Sequence, residues 1–104
     1  MANLNKNDVV IDAYAGAATI SHYASKHVSK VYAIEKDKHS ATSAVKSLEK
    51  NNIENVIVVN KPFFEGLNEL RDQKIDVMFF DPPRTGLGET TMNLILKIFM
   101  TIMN

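Results

Sequence analysis

The sequence predicts an α/β domain, a small parallel sheet with helices on both faces. Two observations carry this. Short, nearly continuous apolar runs rich in β-branched and aromatic residues recur along the chain. Stretches with the apolar spacing of helices lie between them. Continuous rather than alternating apolar runs suit strands covered on both faces. Strands that alternate with helices argue for right-handed βαβ crossovers.

The elements follow in order. Val9-Val10-Ile11 reads as the first strand. Ala17 to Val28 reads as a helix whose stripe is Ile20, Ala24 and Val28. Val31-Tyr32-Ala33-Ile34 is the second strand, and Ser40 to Lys50 is a helix with Ala41, Ala44, Val45 and Leu48 on one side. Val56-Ile57-Val58-Val59 is the third strand, followed by a short helix from Phe63 to Arg71 that carries Phe63, Phe64, Leu67 and Leu70. Val77-Met78-Phe79-Phe80 is the fourth strand. The tail from Thr90 to Met103 is a helix apolar on most sides, with Lys97 its only basic residue. Such a helix needs burial on more than one side. It predicts self-association, most simply a symmetric dimer formed through the tail and the open edge of the fourth strand.

Composition narrows the function. The chain has 104 residues, enough for one core and one domain, 1–104. No repeat, low-complexity segment or linker interrupts it. The loop from Arg84 to Glu89, with Gly86 and Gly88, is the expected flexible piece. Twelve Lys and Arg balance twelve Asp and Glu, so net charge does not advertise a nucleic-acid or membrane surface. The lysines are scattered and read as a solvated surface. His22, His27 and His39 lack the spacing of a metal set, so no metal site is expected. There is no cysteine, which excludes disulfides, thiolate metal sites and a cysteine nucleophile within these residues. Met1 to Asp8 is polar, and no apolar stretch approaches the roughly 20 residues that span a bilayer. The expectation is a soluble, cytoplasmic protein without membrane contact.

Three segments carry chemistry. The first strand runs into Asp12-Ala13-Tyr14-Ala15-Gly16-Ala17-Ala18-Thr19, whose small residues let backbone approach a ligand. Glu35 closes the second strand about 20 residues after the glycine turn. An acidic residue at that spacing reaches ribose hydroxyls in nucleotide-binding α/β folds. Asp81-Pro82-Pro83-Arg84-Thr85-Gly86 follows the fourth strand, where two prolines fix the backbone at the ligand-binding end of the sheet. The plain alternatives are a routine strand-to-helix turn, a solvated charge and a proline-rich strand exit.

Together these residues resemble the class I S-adenosylmethionine-dependent methyltransferases, most closely the RNA (uracil-5-) methyltransferase group. The resemblance runs from about Asp8 to Leu87. It implies a Rossmann-like αβα fold with strand order 3-2-1-4, cut short relative to the family's seven strands. It implies S-adenosylmethionine as cofactor and an RNA substrate. Asp12, Tyr14 and Gly16 match the family's cofactor turn, which continues to Thr19, while Ala18 replaces its second glycine. Glu35 matches the ribose-binding acid. Lys61-Pro62 stands where the family has Gly-Asp, leaving Asn60 as the substitute contact to the adenine amine. Asp81, Pro82 and Arg84 match the segment at the reacting end, where Asp81 and Arg84 are the expected catalytic residues and Asp81 and Pro82 also line the cofactor. Without cysteine these residues cannot run the group's uracil C5 addition, so an RNA base or similar nucleophile with an available lone pair is expected. The expected alternatives are a degenerate, non-catalytic binding module and the dinucleotide domain of an oxidoreductase.

Overall fold

In the computed structural model, residues 4–16 and 18–80 are described. The Asp81 to Gly86 turn and the apolar tail, with the dimer expected from it, lie outside the described residues. Four strands, β1 (Val9–Ala13), β2 (Lys30–Ile34), β3 (Val56–Val59) and β4 (Val77–Phe80), form one parallel sheet in the order β3-β2-β1-β4. The helices are α1 (Thr19–Ala24), α2 (Lys38–Lys50) and α3 (Phe63–Glu69). The fold is therefore the Rossmann-like αβα arrangement. β1 pairs with β2 from Val9↔Lys30 to Ala13↔Ile34 and with β4 from Val10↔Val77 to Ala13↔Phe80.

The sheet separates two cores, as strand alternation requires. On one face Val10, Val31, Ala33 and Val56 pack with Ala24, Ala44 and Leu48 of α1 and α2. On the other, Ile11, Ile34 and Val59 pack with Phe63, Leu67 and Leu70 at α3. Gly66 lets α3 sit tight on β2. A Cβ added there would lie 2.8 Å from Ile34 Cγ2, inside any real contact.

Three positions differ from the periodicity reading. In α1 the buried stripe is Ser21 and Ala24, while Ile20 stays 41% exposed. Val45 of α2 and Ile57 of β3 are also exposed. β3 is an edge strand, and α3 packs over β2, so among the described residues nothing fully covers Ile57. α1 also ends at Ala24 rather than Val28. Its last turn tightens: the carbonyls of Tyr23 and Ala24 accept from the N–H groups three residues on, Lys26 (3.4 Å) and His27 (2.9 Å), while Ser25 Oγ donates to the His22 carbonyl (2.7 Å), and just past the helix Asn55 Nδ2 donates to the carbonyls of Ser25 (2.8 Å) and Val28 (3.2 Å). Such competition stops a helix where propensity alone would let it run.

α2 begins earlier than its apolar spacing implies, because Asp37 caps it. The Asp37 carboxylate accepts from the Ser40 N–H and from Ser40 Oγ, both at 2.8 Å. These bonds, the backbone one first, hold the Asp37 carboxyl below its ordinary value. A carboxyl lowered by folding stabilises the fold above its unfolded pKa, and that contribution is lost as pH falls through the folded value. Below the ordinary carboxylate value, helix content should therefore fall with acid. Asp37→Asn keeps an acceptor at the cap but cannot titrate, so its loss of helix should be shallower over that window. Far-ultraviolet circular dichroism across an acid series checks this, and superimposable curves would refute it.

Candidate functional site

The carboxyl ends of β1, β2 and β3 converge on one edge of the sheet. The connection from β1 to α1 holds three residues with left-handed backbone at alternate positions: Tyr14 (φ 57°), Gly16 (φ 56°) and Ala18 (φ 63°). Only one is glycine. An L-residue in that region costs about 1–2 kcal/mol, so packing must hold the other two. The Tyr14 ring stacks on Phe63 at the start of α3, with centroids 5.2 Å apart and planes 23° off parallel. Burial pushes the Tyr14 phenol above its ordinary value, so at neutral pH it keeps its proton. Ala18 is 1% exposed, with its methyl group in the core beneath α1 and α2. Beneath the turn, the Ser21 hydroxyl donates to Asp12 Oδ2 at 2.6 Å. Asp12 is itself 2% exposed.

Glu35 closes the site from β2. Its Oε1 accepts the Gly16 N–H at 2.7 Å, and its Oε2 accepts the Asp37 N–H at 2.7 Å. One carboxylate thus straps the glycine turn to the start of α2. Each oxygen keeps a second lone pair. Asn60, just past β3, donates through Nδ2 to the carbonyls of Glu35 (2.9 Å) and Lys36 (3.2 Å), which leaves Oδ1 as its acceptor. Thr19 is exposed on the first turn of α1. Among the described residues, no atom beyond those of its chain neighbours lies within 4 Å of where a Gly16 Cβ would sit. The glycine therefore serves its backbone angle, and no described residue fills the space above it.

Of the residues expected at the site, Tyr14, Gly16, Thr19, Glu35 and Asn60 share this edge. Asp12 lies beneath it as a support. Asp81, Pro82 and Arg84 lie outside the described residues. Ser21 and Phe63 belong to the site and went unread in the sequence. A serine on a helix looks solvent-facing. The Tyr14–Phe63 stack joins residues that only tertiary structure brings together. Among the described residues no cluster of His, Asp or Glu is arranged to hold a metal ion.

Residues 1–100 match the family described as Conserved hypothetical protein 95. The chain belongs to this family. The chain is 36% identical over 94 residues to an uncharacterized RNA methyltransferase of Fusobacterium nucleatum, covering 88% of this chain and 20% of the relative. It is 34% identical over 97 residues to one from Leptospira interrogans, covering 93% and 25%. The chain thus spans about a fifth to a quarter of the length of these relatives. Among solved structures, an rRNA methylase from Streptococcus thermophilus superposes with a TM-score of 0.78 at 22% identity, over 95% of this chain and 57% of that one. A putative methyltransferase from Streptococcus mutans, solved with SAH, superposes with a TM-score of 0.74 at 23% identity, over 95% and 59%. These two likenesses show the fold.

In this Conserved hypothetical protein 95 chain, Gly16 and Ala18 offer a matched test of the turn. Gly16→Ala keeps a positive φ and adds a methyl group to open space, so it should lower stability by about 1 kcal/mol. Ala18→Gly relieves the same strain but removes a buried methyl group worth about 0.8 kcal/mol. It should leave stability within about 0.5 kcal/mol of the parent. Urea unfolding of both variants decides. Equal losses from the two would contradict the left-handed assignment at either position.

Proposed function

We propose that this chain is the cofactor-binding part of an S-adenosylmethionine-dependent RNA base methyltransferase. The observation that carries the reading is Glu35, a carboxylate fixed by two backbone amides beside a left-handed glycine turn, with open space above the turn. Its remaining lone pairs suit two vicinal hydroxyl donors, the chemistry of a ribose. The open space at Gly16 lets the backbone approach the amino-acid end of the cofactor. Asn60 Oδ1 is an acceptor suited to the adenine amine, held in place by its own amide donors. Ala18 does not crowd this space, because its methyl group is buried in the core. The donor set therefore fits the cofactor. When bound, S-adenosylmethionine supplies an electrophilic methyl group.

The RNA part of the proposal is supported by the relatives, which carry the name RNA methyltransferase. Asp81 and Arg84 are proposed for the reacting end. Asp81 accepts from an exocyclic amine of the target base, and Arg84 stacks on a base or pairs with a phosphate. A base inside a duplex cannot reach such an edge, so the target is single-stranded or flipped out. These residues hold no cysteine. The acceptor we favour is accordingly a base nitrogen or similar nucleophile that needs no thiol addition.

Calorimetric titration tests the cofactor reading. Saturable binding of S-adenosylmethionine and S-adenosylhomocysteine is expected. Absence of heat with both would overturn it in favour of a non-catalytic interaction module. Transfer of a labelled methyl group to bulk RNA tests the second half. No transfer by a chain that binds cofactor would remove the enzymatic claim for these residues alone.

A further inference from the structure

The zero net charge conceals an uneven distribution. Between Ala18 and Asn51 the chain carries six lysines and all three histidines, against three carboxylates, Glu35, Asp37 and Glu49. Two of those carboxylates are already engaged by backbone N–H groups at the sheet edge, Glu35 by Gly16 and Asp37 by Ser40. Glu49 lies on the β3 side of α2, along a hollow it shares with Val45, Lys46 and Asn60. The other side of α2 faces α1 across a groove that has no carboxylate. Its walls are Thr19, His22, Tyr23 and Lys26 from α1 and the end of that helix, and Ser43 and Ser47 from α2. The spacing on each wall is that of one helical face.

We propose that this groove holds the backbone of a single-stranded RNA, outside the cofactor site and leading towards it. The proposal rests on the RNA reading above. Tyr23 is 54% exposed, a large aromatic side chain left in water, and its ring leans on His27 with centroids 5.3 Å apart. An exposed ring in a groove that also carries a lysine, here Lys26, is the arrangement on which unpaired bases stack. Lys26 supplies a phosphate contact, and the hydroxyls of Thr19, Ser43 and Ser47 supply the neutral donors that usually accompany it. An anionic strand meets no like charge in the groove itself. Thr19 opens the first turn of α1, directly after the turn that carries Gly16. A strand lying here therefore reaches the sheet edge at the candidate cofactor site. On the α3 side of the sheet Lys61 is ion-paired with Glu69.

Fluorescence anisotropy with a labelled, unstructured RNA oligonucleotide tests the groove on the full chain. Tyr23→Ala should weaken binding about tenfold through lost stacking. Lys26→Ala should weaken it and reduce the slope of log affinity against log salt by about one. Arg71→Ala, an equal charge change beyond the end of α3, should leave both quantities within about twofold of the parent, because unspecific attraction alone would respond to either cation. Equal losses from Lys26→Ala and Arg71→Ala would overturn the groove. So would binding of a polyglutamate peptide as tight as that of the RNA, since the site would then take any polyanion. No RNA binding by a preparation that still binds S-adenosylhomocysteine overturns the groove and leaves the cofactor reading standing. RNA binding without cofactor binding does the reverse.

Discussion

Glu35→Ala should lower the affinity for S-adenosylhomocysteine by roughly 100-fold or more. A hydrogen bond to a charged acceptor contributes about 1.5–3 kcal/mol, and two ribose hydroxyls would lose such an acceptor together. The substitution also frees the Gly16 and Asp37 amides, so the turn loses its strap to the start of α2. The Asp37 amide is exposed and the Gly16 amide only partly buried, so the unfolding midpoint should move little. Glu35→Gln is the sharper variant. Its amide has one acceptor oxygen and one donor nitrogen, so with an N–H at each end of the side chain it sets a donor against one of them. It should therefore lose nearly as much affinity as the alanine. Glu49→Ala, a carboxylate on the far side of α2, serves as the control. An affinity within threefold of the parent for Glu35→Ala would remove the observation on which the proposed function rests.

Gly66→Val should destabilise the fold by about 2 kcal/mol and lower the melting temperature by roughly 10 °C. The first added carbon falls 2.8 Å from Ile34 Cγ2, and Ile34 is 1% exposed, so neither side has room to yield. Overpacking of this kind typically costs about 1–3 kcal/mol, and replacing a helical glycine returns only about 0.4. Gly66→Ala should cost less, because one methyl group is easier to accommodate. The effect should also reach the site. Phe63 stands three residues earlier on the same helix, and it is the ring on which Tyr14 stacks. Displacing α3 separates the two rings, so the near-ultraviolet dichroism of the variant should weaken even where it remains folded. A melting temperature unchanged in Gly66→Val would show that α3 is not packed as described.

The parts of this structure that were legible in its sequence are those written in local pattern. The four strands coincide with apolar runs, since a strand covered on both faces needs no alternation. Gly16 and Glu35 were paired by spacing alone, and the structure joins them through a 2.7 Å hydrogen bond. The strand order came through the resemblance of the strand-end residues to a known family, not from periodicity. What stayed hidden depends on residues distant in the chain or on backbone angles. Ile20 looked like core and Ser21 like surface, yet the strand beneath presents Asp12, which makes a serine the better buried neighbour. The segment just past α1 is held by Asn55, whose side chain takes the Ser25 carbonyl from about 30 residues downstream. Nothing in the identities of Tyr14 or Ala18 signals a left-handed backbone, because neither is a residue that favours one.

The position of β1 in the sheet has a consequence for synthesis. Of the four described strands it is the earliest made, and both of its neighbours come later, β2 first and β4 last. Once β2 and β3 have paired, β1 still presents an unpaired edge of apolar residues until Val77–Phe80 emerges. Its other anchors on that side also wait, since Val9 N–H donates to Asp76 Oδ2 and its carbonyl accepts from the Asp76 N–H. At elongation rates of about 5–20 residues per second, that edge stays bare for seconds. Nascent chains of this protein should accordingly be most prone to aggregate, and most dependent on chaperones, after the third strand has been made and before the fourth.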